Sequence, residues 1–206
     1  MIKWLVPSQL VDYRRAVKFM EIKIQKIYNG LSDEIALLLE HPPIYTAGIS
    51  ANDEEEIIEK LLPVYKTCRG GKYTYHGPGQ RIIYLMLNLK KRNKCDIRMY
   101  IRDLSKWIIN VLRYFNIIGE FKEDRIGIWV NNNGMEKKIA AFGIRLRKWI
   151  TYHGIALNVS PDLSFYRGII PCGLKNYGVT SMKELGIEIS LFELDFVLKK
   201  EFYKIF

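Results

Sequence analysis

Residues 126–159 read I-G-I-W-V-N-N-N-G-M-E-K-K-I-A-A-F-G-I-R-L-R-K-W-I-T-Y-H-G-I-A-L-N-V. Strand-like runs rich in β-branched and aromatic residues occupy Ile126 to Val130, Lys138 to Leu146 and Trp149 to Val159. Asn131 to Gly134 separates the first two. Asn and Gly accept the positive φ angles that a tight hairpin needs, so these runs are expected to pair antiparallel. Ile35 to Leu39 and Ile82 to Leu89 carry the same strand signature.

Outward from this block the pattern becomes helical. Leu10, Tyr13, Val17, Met20, Ile24 and Ile27 recur at spacings of three and four, which predicts a helix with Ser8 as N-cap and Asn29-Gly30 as its stop. A second helix is expected from about Asp96 to Phe115, with Ile97, Ile101, Leu104, Ile108, Val111 and Phe115 on one face. A short helix should follow Asn52, because Asp53 to Glu56 place acid at a helix N-terminus. Ser190 with Glu193 reads as a capping box opening a C-terminal helix. Helices and hairpin-joined strands interleave without a regular βαβ alternation, so the fold class is α+β with a mixed or antiparallel sheet. No repeat, low-complexity tract or linker breaks the chain, and a single domain over 1–206 is expected.

With 206 residues the chain can bury one sizeable core. Its 49% hydrophobic and 26% charged residues are ordinary for a soluble globular protein. No apolar run approaches the roughly 18 residues of a membrane span, and Met1 to Pro7 lacks a signal-peptide cleavage site. Three cysteines without metal-like spacing argue against a disulfide framework and against a zinc site, and a cytoplasmic location is expected. A net charge of +10 points to acidic partners, either nucleic acid or an acidic carrier protein. The cations are spread along the chain, so composition does not choose between them.

Three segments carry unusual chemistry. R-G-G-K-Y-T-Y-H-G-P-G-Q (69–80) packs four glycines, a proline, a histidine and an arginine between two strand-like runs. That density of glycine implies positive φ or a backbone approached closely by a ligand, although the Walker and dinucleotide spacings are absent. In Y-H-G-I-A-L-N (152–158), Gly154 and Ala156 are expected to leave space on a sheet face. In I-I-P-C-G (169–173), Cys172 stands between a proline and a glycine, which puts its thiol in a rigid, reachable turn. Cys68 and Cys95 have no such setting and read as structural or incidental. His41 reads as a strand-end residue, and His76 and His153 as pocket lining.

Together with E-H-P-P-I-Y-T-A-G (40–48), K-I-A-A-F-G-I-R (138–145), H-G-I-A-L-N-V (153–159) and P-C-G (171–173), the 69–80 segment strongly resembles the lipoyl(octanoyl) transferases. The resemblance runs over nearly the whole chain in order and spacing. It implies the α+β fold shared by biotin and lipoate protein ligases. It also implies a reaction in which octanoyl passes from the thioester of acyl carrier protein to one lysine of a lipoyl domain. The implied acceptors are the acyltransferase subunits of 2-oxoacid dehydrogenases and the glycine-cleavage H protein. By the same resemblance Cys172 is the acyl-thioester nucleophile and Lys138 its ionisable partner. The implied substrate contacts are Arg69, Gly70, Gly71, Lys72, Tyr73, Thr74, Tyr75 and His76, then Ala141, Phe142 and Gly143, then Gly154, Ile155 and Ala156. Ile49 and Ser50 depart from the basic residue that many relatives carry after the T-A-G.

A thioester already carries an activated acyl group, so this chemistry calls for no cofactor, no ATP and no metal. A rival reading on the same fold is an ATP-dependent lipoate or biotin ligase. Such a ligase needs a nucleotide loop of the type G-G-G-A and no cysteine at position 172, whereas this loop reads G-G-K-Y. A nucleic-acid-binding module, suggested by charge alone, lacks a recognition helix or an aromatic RNP-like run, so no nucleic acid is expected as partner.

Overall fold

A computed structural model of the protein describes residues 2–174 and 177–206, and of Cys172 the backbone alone. Its main sheet is built around the 126–159 block. In chain order it holds β1 (Ile2–Leu5), β2 (Glu34–Leu39), β6 (Gln80–Met86), β7 (Gly119–Phe121), β8 (Ile128–Asn132), β9 (Met135–Arg147), β10 (Ile150–Asn158) and β11 (Gly178–Val179). Across the sheet the order is β1-β2-β6-β10-β9-β8-β7, with β11 added alongside β9. The β1–β2 and β9–β11 pairs are parallel and the others antiparallel, which makes the sheet mixed. A second sheet of order β4-β3-β5 holds β3 (Ile44–Ala47), β4 (Val64–Lys66) and β5 (Tyr73–His76). The β8–β9 hairpin turns at Asn133 and Gly134, with φ of 52° and 79°, as the Asn-Gly pair predicts.

Helices cover both faces of the main sheet. On one face α1 (Tyr13–Tyr28) buries Tyr13, Val17, Met20, Ile24 and Ile27 against Leu37, Leu39 and Tyr84. On the other, α3 (Ile97–Tyr114) and α4 (Leu191–Phe202) enclose Leu104, Trp107, Ile108, Leu194 and Leu198. Each such side chain contributes about 1.5–3 kcal/mol by leaving water. The Ser190–Glu193 capping box opens α4 as read from the sequence, and the structure adds Asp96 as the cap of α3 and Asn52 as the cap of the short α2 (Asp53–Glu56). Helix α1 departs from expectation: its N-cap is Asp12, whose carboxylate accepts from Arg15 N–H at 3.0 Å, and Ser8 lies outside. The reason is tertiary. Val11 donates its N–H to Glu40 O at 2.8 Å and accepts from His41 Nδ1 at 2.6 Å, so the chain is held to the end of β2 until residue 12.

Candidate active site

The glycine-rich segment is fastened by its own arginine. Arg69 is buried, donating from Nε to Thr46 Oγ1 at 3.0 Å and from Nη2 to Thr46 O at 2.6 Å and Lys72 O at 2.7 Å. Its Nη1 reaches Gly70 O at 2.9 Å. The guanidinium therefore shapes the loop that the sequence suggested would grip a ligand. Gly48, at the end of T-A-G, packs so tightly on this loop that a Cβ there would lie 2.2 Å from Gly71 O. The distal half is anchored by Gln80. Its Oε1 accepts from His76 Nδ1 at 2.7 Å, and its Nε2 donates to Asn158 Oδ1 at 2.9 Å and Tyr166 Oη at 3.2 Å. Thus H-G-P-G-Q and A-L-N-V, distant in sequence, form one buried network.

Strand β9 divides its partners. Its second half pairs with β10, and at Lys137 and Lys138 the neighbour is instead β11. Val179 lies opposite Lys138, and Thr180 N–H donates to Lys138 O at 3.0 Å. The chain leaving the P-C-G turn is thereby sewn to the strand that carries the lysine. Adjacent strand residues face opposite ways. Lys138 is buried and lines the main cavity, whereas Lys137 runs along Gly178 and does not. Lys138 Nζ donates to Ile126 O at 3.3 Å and sits 4.7 Å from the centre of the Trp129 ring, whose face attracts an ammonium.

These elements enclose a cavity of about 440 Å3, mostly apolar, within the range of small-ligand sites. From the loop it is lined by Arg69, Gly70, Gly71 and Lys72, and from β5 by Thr74 and His76. From β9 come Lys138, Ala141, Phe142 and Gly143, and from β10 Gly154, Ile155 and Ala156. Tyr73 and Tyr75 do not reach it. On β5 they alternate to the other face and pack with Tyr45, Tyr166 and Ile169 in a separate small core. Sequence reasoning misses Ile97 and Ile101 at the start of α3, the 123–126 segment, Tyr84, and Leu174 just beyond P-C-G. Ile97 and Ile101 carry a signal, since they belong to the helix's apolar stripe and yet the cavity takes them in place of the core.

Pro171–Gly173 forms a 3-10 turn with proline at its start, so the backbone at Cys172 is the rigid turn expected. The Cys172 side chain lies outside the described residues. Cys68 Sγ lies 3.8 Å from both Tyr152 Oη and His153 Nε2, and Cys95 is exposed.

The three histidines, in separate segments of sequence, converge. The rings of His41 and His76 are 5.8 Å apart, and Tyr84 stands 5.8 Å from each of His41 and His153. Burial holds all three neutral. It lowers His41 to about 4 and His153 to about 3, with the Arg69 charge acting in the same direction on His153. His76 is pushed well below its ordinary value by burial and then by His41 and Arg69. His153 Nδ1 has no hydrogen-bond partner among the described residues. The site thus combines neutral imidazoles, a mostly apolar cavity and the lysines that line it, which suits a ligand with a largely uncharged body.

The chain is similar to known proteins in sequence and in fold. Residues 12–203 match the lipoyl protein ligase A/B catalytic domain. An octanoyltransferase from Wolbachia sp. subsp. Brugia malayi (strain TRS) is 76% identical over all of both chains. Among solved structures, a bipartite lipoate protein ligase from Thermoplasma acidophilum superposes with a TM-score of 0.73 at 18% identity, covering 100% of this chain and 84% of its own. A biotin protein ligase from Aquifex aeolicus gives 0.57 at 16% identity, covering 98% and 68%. At those identities the two structures speak for the fold alone.

Proposed function

The chain belongs to the lipoyl protein ligase A/B catalytic-domain family and is an octanoyl-transferring acyltransferase, and from that premise we propose a two-step transfer through Cys172. In the first step the Cys172 thiolate attacks the carbonyl of an octanoyl thioester on acyl carrier protein. The tetrahedral intermediate collapses, the carrier's thiol leaves, and octanoyl remains as a thioester on the enzyme. In the second step the neutral ε-amine of a lipoyl-domain lysine attacks that thioester, forming an amide and returning the thiolate. The carrier's leaving thiolate takes up a proton in the first step and the attacking amine gives one up in the second. Bonds and protons therefore balance over the cycle without ATP, one thioester being exchanged for another and then for a more stable amide.

One observation carries this reading: the strand bearing Lys138 is paired with the segment that leaves the P-C-G turn, on the rim of a largely apolar cavity. A free thiol near pKa 8.5 is only a few per cent ionised at neutrality, so a neighbouring ammonium raises the reactive fraction. Lys138, over the Trp129 ring and bonded to Ile126 O, supplies that cation in this reading. The apolar walls at Ile82, Ala141, Phe142 and Ala156 suit a straight alkyl chain. The partners are then octanoyl-acyl carrier protein as donor, and lipoyl domains of 2-oxoacid dehydrogenases and the glycine-cleavage H protein as acceptors. Among the described residues no helix is long and apolar enough to cross a membrane.

Intact-mass analysis after mixing the protein with octanoyl-acyl carrier protein alone tests the intermediate. One hydroxylamine-labile octanoyl adduct is expected, mapped to Cys172 and absent from Cys172→Ala. An unmodified protein, an adduct that survives in Cys172→Ala, or transfer that requires ATP would overturn the mechanism.

A further inference from the structure

A nucleophile at Cys172 needs its turn held in place, and the role of Glu56 rests on that reading of the cysteine. Helix α2 ends in Glu56, an acid only 1% exposed. Its carboxylate accepts from Tyr73 N–H at 3.0 Å and Asn52 N–H at 3.3 Å, and pairs with Lys72 Nζ at 2.9 Å. Its backbone carbonyl accepts from Ile170 N–H at 2.8 Å, the residue that opens the P-C-G turn. Ile57 bridges to Ile169, and the N–H groups of Ile58 and Glu59 both bond Gly168 O, at 2.9 and 3.0 Å. One short segment therefore clasps the glycine-rich loop on one side and the cysteine turn on the other.

Lys72 closes the clasp. A Cβ added at Gly173 would lie 2.6 Å from Lys72 Cδ and 2.7 Å from Nζ, so the lysine side chain lies directly over the residue that follows Cys172. Gly173 has φ of 69°, which favours glycine, and a Cβ there would displace the Lys72 side chain. The Lys72 side chain is about one-third exposed, whereas the Glu56 side chain is 2% exposed. The charged groups facing Lys72 are Glu56, with Glu55 behind it on the same helix, and Arg69, which bonds Lys72 O. The same cavity is lined by Lys138 from β9 and by Glu123, Asp124 and Arg125 from the segment before β8. Glu56 holds Lys72 protonated, chiefly through its hydrogen bond and then through its charge.

We infer that Glu56 is a positioning residue for the acyl-transfer site, fixing the Lys72 ammonium over Gly173 so that the Glu56–Lys72 pair sets both the turn and the electrostatic field at Cys172. A charge pair placed this way has a signature that simple packing lacks. Removing the acid leaves an unbalanced cation beside the turn and favours the thiolate. Removing the lysine leaves an unbalanced anion and disfavours it.

The experiment tracks iodoacetamide alkylation of Cys172 against pH in the full chain, read by peptide mass spectrometry so that Cys68 and Cys95 are separated. In Glu56→Gln the apparent thiol pKa should fall by about half a unit to one unit, and in Lys72→Met it should rise by about as much. Lys72→Arg should restore the ordinary profile. Shifts of the same sign in both variants, or no shift in either, would show that the pair only packs the turn and would overturn the inference. If Glu56→Gln does not fold, the lysine series decides alone: a rise in Lys72→Met with rescue by arginine supports it, and an unchanged profile defeats it. Alkylation involves no acyl transfer. An unchanged profile in an enzyme whose transfer is abolished by Cys172→Ala therefore sinks this inference alone, whereas transfer that persists in Cys172→Ala sinks the mechanism itself.

Discussion

Lys137 and Lys138 are adjacent in sequence and separated by the sheet: one lies along Gly178, the other faces the cavity. Lys138→Ala is therefore expected to lower both acylation of Cys172 and transfer to a lipoyl-domain lysine by on the order of 10²–10³-fold, with Lys137→Ala nearly neutral. Lys138→Arg keeps the charge but cannot act as a base. Because Lys138 lies over the Trp129 face, arginine should preserve most of the acylation step. Loss of transfer alone in that variant would assign the neutral amine to the second step. Single-turnover mass kinetics measure both stages separately, and inactivity of Lys137→Ala beside an active Lys138→Ala would show the site to be built from the other face of β9.

Gly154 shows how an element can mislead at the scale of a residue. In sequence its small size suggests room for a ligand, and it does line the cavity. Yet a Cβ there would lie 2.1 Å from Ile83 O, so β6 requires the glycine as the cavity does. Gly154→Ala should cost at least about 2 kcal/mol in urea unfolding, because φ of 158° and the carbonyl both oppose a side chain. A stability within about 0.5 kcal/mol of the parent, the scatter of surface substitutions, would mean the strands separate freely there. Longer elements are legible from pattern alone: α3 runs Ile97–Tyr114 against an expected Asp96 to Phe115, since eighteen residues average out local noise. Strands β3, β5 and β11, of four, four and two residues, are too short to show a period. Those strands nevertheless build the site; the sequence reaches β3 and β5 only as segments of a resemblance and does not reach β11. The convergence of His41, His76 and His153 is illegible for a related reason, because it depends on the β2–β6–β10 order and on no local spacing. Likewise the resemblance groups Tyr73 and Tyr75 with Thr74 and His76 as ligand contacts, and strand alternation sends the two tyrosines to the other core.

For the whole molecule, the +10 charge bears on encounter and the buried histidines on stability. If the partners are acidic, raising ionic strength should lower kcat/KM through slower association and leave kcat nearly unchanged. A salt-independent kcat/KM would make the charge incidental to docking.

Stability should depend on pH in a window set by the histidine cluster. His41 and His153 ionise near 6.5 in the unfolded chain and at about 4 and about 3 in the folded one. Between those values the unfolded state binds more protons, so stability is present above pH 6.5 and falls as pH drops toward 4. From pH 7 to pH 5 the two together remove about 4 kcal/mol, and His76 acts in the same direction. Asp195 opposes them. It joins α4 to β6 through Arg81, with Nε to Oδ1 at 3.0 Å, and burial raises its carboxyl to about 6. A raised acid takes up a proton in the folded state first, so it returns about 1 kcal/mol over the same interval. The net expectation is a loss of at least about 3 kcal/mol between pH 7 and pH 5, since His76 adds to the difference of the other terms, read from urea unfolding midpoints at constant ionic strength. His41→Gln should flatten the slope, and Asp195→Asn should steepen it because the opposing group is gone. A protein equally stable at pH 5 and pH 7 would mean that the three imidazoles reach solvent and that the cavity floor is not the dry surface an acyl chain requires.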